Sequence, residues 1–399
     1  MNKGENYMLN FNLHIPTRII FGKGAHNQIG ELLKPHSKKL LLHYGGNSIK
    51  KSSLYDEVAA SLKQNNIEFI ELGGVVPNPR LSLVHKGIEI CKNENVDLIL
   101  AVGGGSVIDS AKAIAMGVFY DGDVWEIYEQ GKNISAALPV ATILTIPAAG
   151  SEISSATVIT NELKQMKLGY GNSKLRPLLS IVNPELFFTL PKNQIGNGVA
   201  DMMSHIFERY FTNTLDTDLI DGLCESTLKT IIKNAPKVFS DPQNYEAWCQ
   251  IGFGSTIAHC DLLGVGRQQD WACHAMEHEL SAIYDVPHGA GLAVLTPAWM
   301  KYVYKENINM FVQFSINIMG VEGSFRNPDA LVHEGIERLS EFYKKIGLPT
   351  TLSELGIEEC NFELMAKKAT GEAYGREKPI GGIKKLFWQD VIEIYKLAK

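Results

Sequence analysis

The sequence lacks any apolar run close to the roughly 18–20 residues that a membrane-spanning helix requires, which argues against an integral membrane protein. It also lacks a basic excess, because 38 lysines and arginines against 44 acidic residues give a net charge of −6. This balance argues against nucleic acid or an anionic membrane as the partner. Residues 1–6 contain no apolar core of the kind found in signal peptides. We therefore expect a globular, cytoplasmic protein.

Cysteine is scarce and scattered, with six thiols in 399 residues and no C-x-x-C pair. In a chain of this size, that pattern predicts reduced thiols in a cytoplasmic protein. It also argues against a structural zinc site built from four cysteines. The six positions are Cys91, Cys224, Cys249, Cys260, Cys273 and Cys360.

The second half of the chain contains a set of candidate metal ligands. Asp201 and His205 are four residues apart, so on a helix they lie on the same face, one turn apart. His274 and His278 repeat this spacing, and His288 follows on a predicted turn flanked by proline and glycine. A carboxylate with imidazoles suits Fe(II) or Zn(II) better than Ca²⁺ or Mg²⁺, which prefer oxygen ligands. The predicted ligands are Asp201, His205, His274 and His288.

Two alternatives stay open at this point. Four protein ligands on a tetrahedral ion can form a purely structural site, because catalysis requires room for a further ligand. The stretch from His274 to His278 also matches the H-x-x-E-H pattern of some metalloproteases, with Glu277 as general base. That second interpretation leaves Asp201 and His205 without a role.

The first half of the chain contains a candidate phosphate-binding loop. Residues 97–102 form a predicted strand, followed by Gly103-Gly-Gly-Ser106 and then by helical spacing of apolar residues over 107–115. This order directs free backbone N–H groups at a phosphate. The loop is not a strict G-x-G-x-x-G, because Ile108 occupies the place of the third glycine.

Other strands and helices alternate through this half. Predicted strands over 39–44, 67–72 and 139–146, and a helix over 53–64, indicate parallel βαβ units. After Thr189-Leu-Pro191 long helical patterns predominate. We predict that one of these helices ends at Pro236. The predicted domains are therefore an α/β dinucleotide-binding domain over 1–188 and a metal-binding domain over 189–399.

Short motifs are distributed along essentially the full length of the chain. They are Phe21-Gly-Lys-Gly24, Pro77-Asn-Pro79, Gly103-Gly-Gly-Ser106 with Asp109 and Lys112, Thr145-Ile-Pro-Ala-Ala-Gly-Ser-Glu152, Gly198-Val-Ala-Asp201 with His205, Gly264-Val-Gly266, Asp270-Trp-Ala272 with His274, and Pro287-His-Gly289. In this combination the chain resembles the iron-containing (group III) alcohol dehydrogenases. Within that family it is similar to the butanol dehydrogenase and broad-range aldehyde reductase branch.

The resemblance implies a Rossmann-like α/β amino-terminal domain and an all-α carboxyl-terminal domain, the fold shared with dehydroquinate synthase. It implies a homodimer that transfers hydride between NAD(P)H and short-chain aldehydes, with Fe²⁺, or alternatively Zn²⁺, on the four predicted ligands. His278 matches a histidine near the substrate, for which proton relay is the implied role. The implied cofactor contacts are Gly46, Ser48, Asn78, Gly104, Gly105, Ser106, Thr142, Thr145 and Lys167.

Three rival functions are weighed against this one. A glycerol-dehydrogenase-like or dehydroquinate-synthase-like enzyme shares the implied fold, but one aspartate with three histidines disfavours both. A catalytically inactive metal-binding protein is disfavoured by the intact ligands and phosphate loop.

The nicotinamide preference is predicted from the end of the strand over 39–44. NAD selection commonly uses an acidic side chain that accepts hydrogen bonds from the ribose 2′-hydroxyl. Here the strand is followed by Gly45-Gly-Asn-Ser48, with Lys50 and Lys51 nearby and no acid until Asp56. The sequence therefore predicts NADPH in preference to NADH.

Overall fold

The computed structural model describes residues 7–323, 327–358 and 361–399, so Cys360 and its predicted free thiol lie outside the described residues. The chain divides into two compact units. The sheet unit comprises Ile15–Leu190 and Pro242–Thr256. The helical unit comprises Pro191–Asp241, Ile257–Lys399 and the described residues that precede Ile15.

Eight strands lie within these described ranges. They are β1 (Arg18–Phe21), β2 (Lys39–Tyr44), β3 (Glu68–Leu72), β4 (Leu98–Gly103), β5 (Val140–Leu144), β6 (Ala156–Asn161), β7 (Met166–Gly171) and β8 (Leu179–Val182). Six of them form one parallel sheet in the order β1-β8-β5-β4-β2-β3, and β6 and β7 form a separate antiparallel hairpin. The four predicted strands are confirmed as β2, β3, β4 and β5.

Fifteen α-helices lie among the described residues. They are α1 (Ile29–Leu33), α2 (Ser48–Lys51), α3 (Leu54–Gln64), α4 (Leu81–Glu94), α5 (Gly105–Gly117), α6 (Trp125–Gln130), α7 (Lys192–Tyr210), α8 (Asp218–Ser240), α9 (Tyr245–Ala258), α10 (Ala272–Tyr284), α11 (His288–Val303), α12 (Ile308–Asn317), α13 (Pro328–Lys345), α14 (Phe362–Ala369) and α15 (Trp388–Leu397). Short 3₁₀ turns occupy Ala25–Gln28, Ser173–Leu175, Pro184–Phe187, Asp261–Gly264, Tyr304–Asn307 and Glu372–Tyr374.

The predicted fold class is confirmed. The sheet unit is an α/β domain built on a parallel sheet, and the described part of the helical unit contains no named strand. None of the helices in the described ranges is both long enough and apolar enough to cross a bilayer.

The prediction placed a single domain boundary after residue 188. Two segments of the chain belong to the other unit from the one that this boundary implies. The amino-terminal segment belongs to the helical unit, where the Leu9 N–H donates to the carbonyl oxygen of Gly266 at 2.7 Å. Pro242–Thr256 belongs to the sheet unit, where the ring of Trp248 lies 5.5 Å from that of Phe187. Both exchanges arise from contacts between distant parts of the chain, which a change in local pattern does not reveal.

The central strands are apolar on both faces because helices cover both sides of the sheet. Leu98, Leu100 and Val102 of β4 are buried in one core cluster that includes residues of α1 and α3. Ile99 and Ala101, which alternate with them and point to the other face, are also fully buried. The continuous apolar run of β4 is therefore explained by its place in the middle of a covered parallel sheet.

The prediction that Pro236 ends its helix is wrong. Helix α8 continues through this residue to Ser240. Proline removes one backbone hydrogen bond, but Ile231, Ala235 and Val238 are all buried on the two sides of it. The continuous apolar face keeps the helix in place beyond the proline.

Helix α5 fixes the segment that follows β5. The buried Lys112 ammonium donates to the carbonyl oxygens of Ser151, Ser154 and Ala156 at 2.7, 2.9 and 2.8 Å. One turn earlier, Asp109 accepts a hydrogen bond from the Ser151 hydroxyl at 2.5 Å. The Lys112 side chain therefore supplies hydrogen-bond donors to three carbonyl oxygens.

We predict that Lys112→Met lowers the free energy of unfolding by about 3 kcal/mol, because buried acceptors that lose their donor are costly. Urea denaturation of the two proteins measures this difference. Lys92→Met, at an exposed lysine of α4, is the control and should change stability by less than about 0.5 kcal/mol. Equal effects of the two substitutions would contradict the prediction.

Candidate metal and dinucleotide sites

Three helices of the helical unit bring the predicted metal ligands together. Asp201 and His205 lie one turn apart on α7, His274 lies in the first turn of α10, and His288 is the first residue of α11. His288 thus begins a helix, with Pro287 as its N-cap, and does not lie in a free turn. We call Asp201, His205, His274 and His288 the ligand cluster.

The structure brings Asp201, His205 and His274 together, with ligand atoms within 4.8 Å of one another, whereas His288 falls in a second such group with Glu277 and His278. Asp201 Oδ1 lies 3.3 Å from His205 Nδ1, 3.8 Å from His274 Nε2 and 3.9 Å from His288 Nε2. Metal–ligand bonds of about 2.0–2.2 Å place tetrahedral ligand atoms about 3.3–3.6 Å apart. The first three residues therefore fit one ion, and His288, which approaches them at Asp201, would have to move towards the ion to complete the coordination.

The atoms that converge here are also unsatisfied. Asp201 Oδ1, His205 Nδ1 and His274 Nε2 are buried and have no hydrogen-bond partner. Buried polar atoms without partners are rare and costly, and these three residues, whose ligand atoms lie within 4.8 Å of one another, therefore fit a bound cation. One carboxylate and three imidazoles form a donor set that suits Fe(II) or Zn(II).

Two buried glutamates orient the histidines. His274 Nδ1 forms a short hydrogen bond with Glu208, which also accepts from the His274 backbone N–H at 3.1 Å. His288 Nδ1 forms a short hydrogen bond with Glu277, which in turn accepts from the Ser281 hydroxyl. A proton held at Nδ1 leaves the Nε2 lone pair directed at the ion, as metal-bound histidines require.

The electrostatics of the cluster differ between its two buried histidines. Burial lowers the pKa of His205 well below its ordinary value, and the neighbouring His259 and His274 lower it further. This imidazole is therefore neutral, the form that can bind a metal. For His274, burial also lowers the pKa, but the charges of Glu208 and Asp201 outweigh it and raise the pKa to about 9. The carboxylates thus stabilise positive charge at this point.

Glycine beside His288 allows the helices to approach this closely. A Cβ at Gly289 would lie 2.0 Å from the carbonyl oxygen of Asn197, on α7. A Cβ at Gly291 would lie 2.8 Å from the side chain of Glu277. The glycine of the Pro287-His-Gly289 motif is therefore required for α11 to bring His288 against α7.

His278 lies beside the ligand cluster. It is half-buried, and its ring lies 5.8 Å from that of His288 and 6.4 Å from that of His274. Glu277 is fully buried and hydrogen-bonded to His288. This arrangement disagrees with the H-x-x-E-H interpretation, in which His274 and His278 would both be ligands and Glu277 would act on water.

In the sheet unit, two glycine turns flank the point where the strand order reverses. The chain goes from β2 outward to β3 and then returns to β4 on the other side of β2. Gly46 and Ser48 follow β2, and Gly104, Gly105 and Ser106 follow β4. Ligands of open parallel sheets bind outside the strand ends at such a reversal.

The turn after β4 needs glycine for close packing. A Cβ at Gly104 would lie 2.9 Å from Ile146 Cβ, and one at Gly105 would lie 2.9 Å from Ala149 Cβ. Gly104 is the N-cap of α5, and no side chain caps this helix. The first N–H groups of α5 are therefore suited to a phosphate.

The remaining predicted cofactor contacts lie in three places. Thr145 follows β5, and its N–H donates to the Gly103 carbonyl at 3.0 Å, which holds it beside the glycine turn. Thr160 links Asn78 and Lys167. It pairs with Lys167 in the β6–β7 hairpin, and its backbone N–H donates to the carbonyl oxygen of Pro79, the residue after Asn78. Thr142 lies inside β5, fully buried. Its contact with a cofactor stays a prediction, as do the others.

Sequence reasoning missed the carboxylates that orient the histidines. Glu208 lies seven residues after Asp201 and three after His205, so helical spacing alone places it on the same side of α7. Its partner on α10 was not readable, because contacts between helices leave no local pattern.

Comparison with known proteins identifies close relatives of the whole chain. Residues 16–184 match the family model described as iron-containing alcohol dehydrogenase, and residues 196–398 match that of the carboxyl-terminal part of the Fe-containing alcohol dehydrogenase family. The chain is 44% identical to NADH-dependent butanol dehydrogenase A of Clostridium acetobutylicum, over 98% of this chain and 99% of the relative. It is 34% identical to the NADPH-dependent aldehyde reductase YqhD of Escherichia coli, over 90% and 93%.

A solved structure shows the same similarity in three dimensions. The crystal structure of NADH-dependent butanol dehydrogenase A from Thermotoga maritima superposes with a TM-score of 0.94 at 42% identity. The match covers 98% of this chain and 99% of that one.

We predict that His274→Ala removes nearly all bound metal, whereas Glu208→Gln weakens metal binding by roughly tenfold or more because it loses the charge behind the imidazole. Elemental analysis after dialysis against a graded chelator measures both. His278→Ala is the control and should keep its metal. Full metal occupancy in His274→Ala would overturn the ligand assignment.

Proposed function

The chain belongs to the iron-containing alcohol dehydrogenase family and is an NAD(P)H-dependent alcohol dehydrogenase and aldehyde reductase; from this we propose that it reduces short-chain aldehydes, using a divalent ion on the ligand cluster. Iron is the proposed ion, with zinc as the alternative. The observation that carries the assignment is the convergence of three buried, unpartnered ligand atoms from α7 and α10.

The proposed chemistry divides between the two units. A divalent ion, when bound, acts as a Lewis acid towards a carbonyl oxygen, and a reduced nicotinamide supplies the hydride. The chain's own part in the sheet unit is to hold the dinucleotide with the glycine turns after β2 and β4 and the uncapped start of α5. Positioning of this kind contributes a large part of the rate of such reactions.

In the helical unit, we assign the proton step to His278. A proton must reach the oxygen of the product alcohol, and an imidazole exchanges protons near neutral pH. The half-buried position of His278 beside His288 supports this role. Glu208 and Glu277 would meanwhile keep the Nδ1 protons of the ligand histidines in place.

We predict that the purified enzyme, assayed with C2 to C6 aldehydes, has a higher kcat/KM for butyraldehyde than for butanol at neutral pH. The ratio of kcat/KM for alcohol oxidation to kcat/KM for aldehyde reduction should increase as pH rises, because oxidation releases a proton. His278→Ala should slow reduction by roughly a hundredfold without loss of metal, whereas His85→Ala, at an exposed histidine of α4, should change neither. Equal efficiencies for butanol and butyraldehyde at pH 7 would contradict the proposed direction.

We also propose NADPH as the preferred cofactor. Nothing lies within 4 Å of where a Cβ at Gly46 would stand, so the turn after β2 has room for a 2′-phosphate. Glu71 of β3 lies next to this turn, but its carboxylate accepts from Tyr44 at 2.7 Å and from Lys50 at 3.1 Å. It also accepts a short hydrogen bond from Tyr55. A carboxylate so engaged is a poor acceptor for a ribose hydroxyl.

The relatives do not decide between the cofactors. The butanol dehydrogenases A and B of C. acetobutylicum are named as NADH-dependent, whereas the E. coli reductase and a butanol dehydrogenase of Clostridium saccharobutylicum are named as NADPH-dependent. The proposal therefore depends on the chemistry of the turn after β2.

We predict that the unmodified enzyme has a higher kcat/KM with NADPH than with NADH, and that Gly46→Asp reverses this order by placing a negative charge against the 2′-phosphate. Gly46→Ala is the matched control, because it adds a side chain without charge. Steady-state kinetics with both cofactors give the ratio. A higher kcat/KM with NADH in the unmodified enzyme would sink the proposal, whatever the variants do.

We further propose that the enzyme is a cytoplasmic homodimer. The cytoplasmic location is supported by the thiols of Cys91, Cys224, Cys249, Cys260 and Cys273, all of which are free. The dimer is an expectation from the family and is checked by sedimentation of the purified protein.

A further inference from the structure

We propose that Trp271 is a positioning residue for the metal: its indole ring restricts the imidazoles of His205 and His274 and so slows release of the ion. The proposal rests on the ligand assignment made under the proposed function. It concerns a residue whose side chain offers no metal-binding atom, because the indole nitrogen is a donor only.

The backbone of Trp271 is in an unusual conformation. Trp271 is the N-cap of α10 with φ 66° and ψ 12°, in the left-handed region. For a bulky side chain this conformation is rare and costs on the order of 1–3 kcal/mol. Such strain persists only where the surrounding structure imposes it, and it concentrates at functional positions.

Asp270 imposes the conformation. Its carboxylate accepts from the N–H groups of Ala272, Gly382 and Ile383 at 3.0, 2.7 and 2.9 Å. Its own N–H donates to the carbonyl of Glu208 on α7 at 2.8 Å. The residue before Trp271 is therefore fixed on three sides, and the chain must turn at Trp271 to enter α10.

The turn places the indole ring among the metal ligands. The ring lies 5.3 Å from that of His274 and 6.0 Å from that of His205, at interplanar angles of 65° and 64°. The indole N–H donates to Gln269 at 3.0 Å, which fixes the rotation of the ring. One rigid side chain therefore contacts ligands from both α7 and α10.

A buried cation holds the ring from α7. The guanidinium carbon of Arg209 lies 4.7 Å from the centre of the indole ring, within the range of a cation–π interaction. Arg209 also donates to the carbonyl oxygen of His205 at 2.7 Å. Arg209 thus couples the ring to the backbone of a ligand residue, which is a reason to expect an effect on metal binding beyond ordinary packing.

The competing explanation is that Trp271 only fills the core. Trp299 provides a comparison in the same unit, since it is fully buried and packs on Phe211 and Phe311 and not on a metal ligand. A core role predicts that loss of either indole lowers stability. Only a positioning role predicts that loss of Trp271 alone affects the ion.

The test uses the full chain loaded with Co²⁺, whose visible absorption reports the geometry of its ligands. Release of Co²⁺ to excess chelator is followed in the unmodified protein, Trp271→Leu, Trp271→Gly and Trp299→Leu, well below their unfolding temperatures. We expect release about tenfold faster in both Trp271 variants, with an altered Co²⁺ spectrum. Trp299→Leu should unfold at a lower temperature but release Co²⁺ at the unmodified rate.

Trp271→Gly separates the ring from the backbone. Glycine adopts the left-handed conformation without strain, so this variant should fold even where Trp271→Leu fails to. Release at the unmodified rate in Trp271→Gly, or equal acceleration in Trp299→Leu, would overturn the proposal. If the unmodified protein binds no Co²⁺, the ligand assignment falls and this inference with it, whereas normal binding with unchanged release rejects this inference alone.

Discussion

The helical unit is organised around buried negative charge that needs a cation. Asp201, Glu208 and Glu277 are each at most 6% exposed, and they lie against the imidazoles of His205, His274 and His288. Burying an ionised carboxylate without compensation is far more costly than any single packing contact is favourable. The close approach of α7 and α11 that Gly289 permits is therefore explained by the need to gather these groups around one positive charge.

A different constraint acts in the sheet unit. Parallel strands covered on both faces leave their ends as the only accessible edge, so any ligand must be met by the turns that follow them. Reversal of strand order between β2 and β4 opens the space there, and Gly104 and Gly105 let the turn after β4 pack closely against Ile146 and Ala149. The central strands are occupied in packing, so most contacts with a ligand are left to the turns that follow them.

Sequence reasoning succeeded where a feature repeats over short distances. The i, i+4 spacings singled out Asp201, His205 and His274, which the structure brings together, and the apolar runs predicted four strands of the sheet. It failed where distant segments decide the outcome. Helix α8 passes through Pro236 because packing on both sides outweighs one lost hydrogen bond. Glu208 and Glu277 orient histidines that lie on other helices. The left-handed conformation of Trp271 follows from the hydrogen bonds that hold Asp270.

The two units share one physical property: each leaves polar groups that the protein does not satisfy itself. In the helical unit these are buried atoms of Asp201, His205 and His274, and in the sheet unit the start of α5, which no side chain caps. Such groups reduce the stability of the folded chain until a ligand meets them. A ligand that binds only the folded state returns that free energy as stability. Most protein cores satisfy their own polar atoms, whereas these two sites do not. The stability that the free protein loses in this way is available as binding free energy for a metal and a dinucleotide.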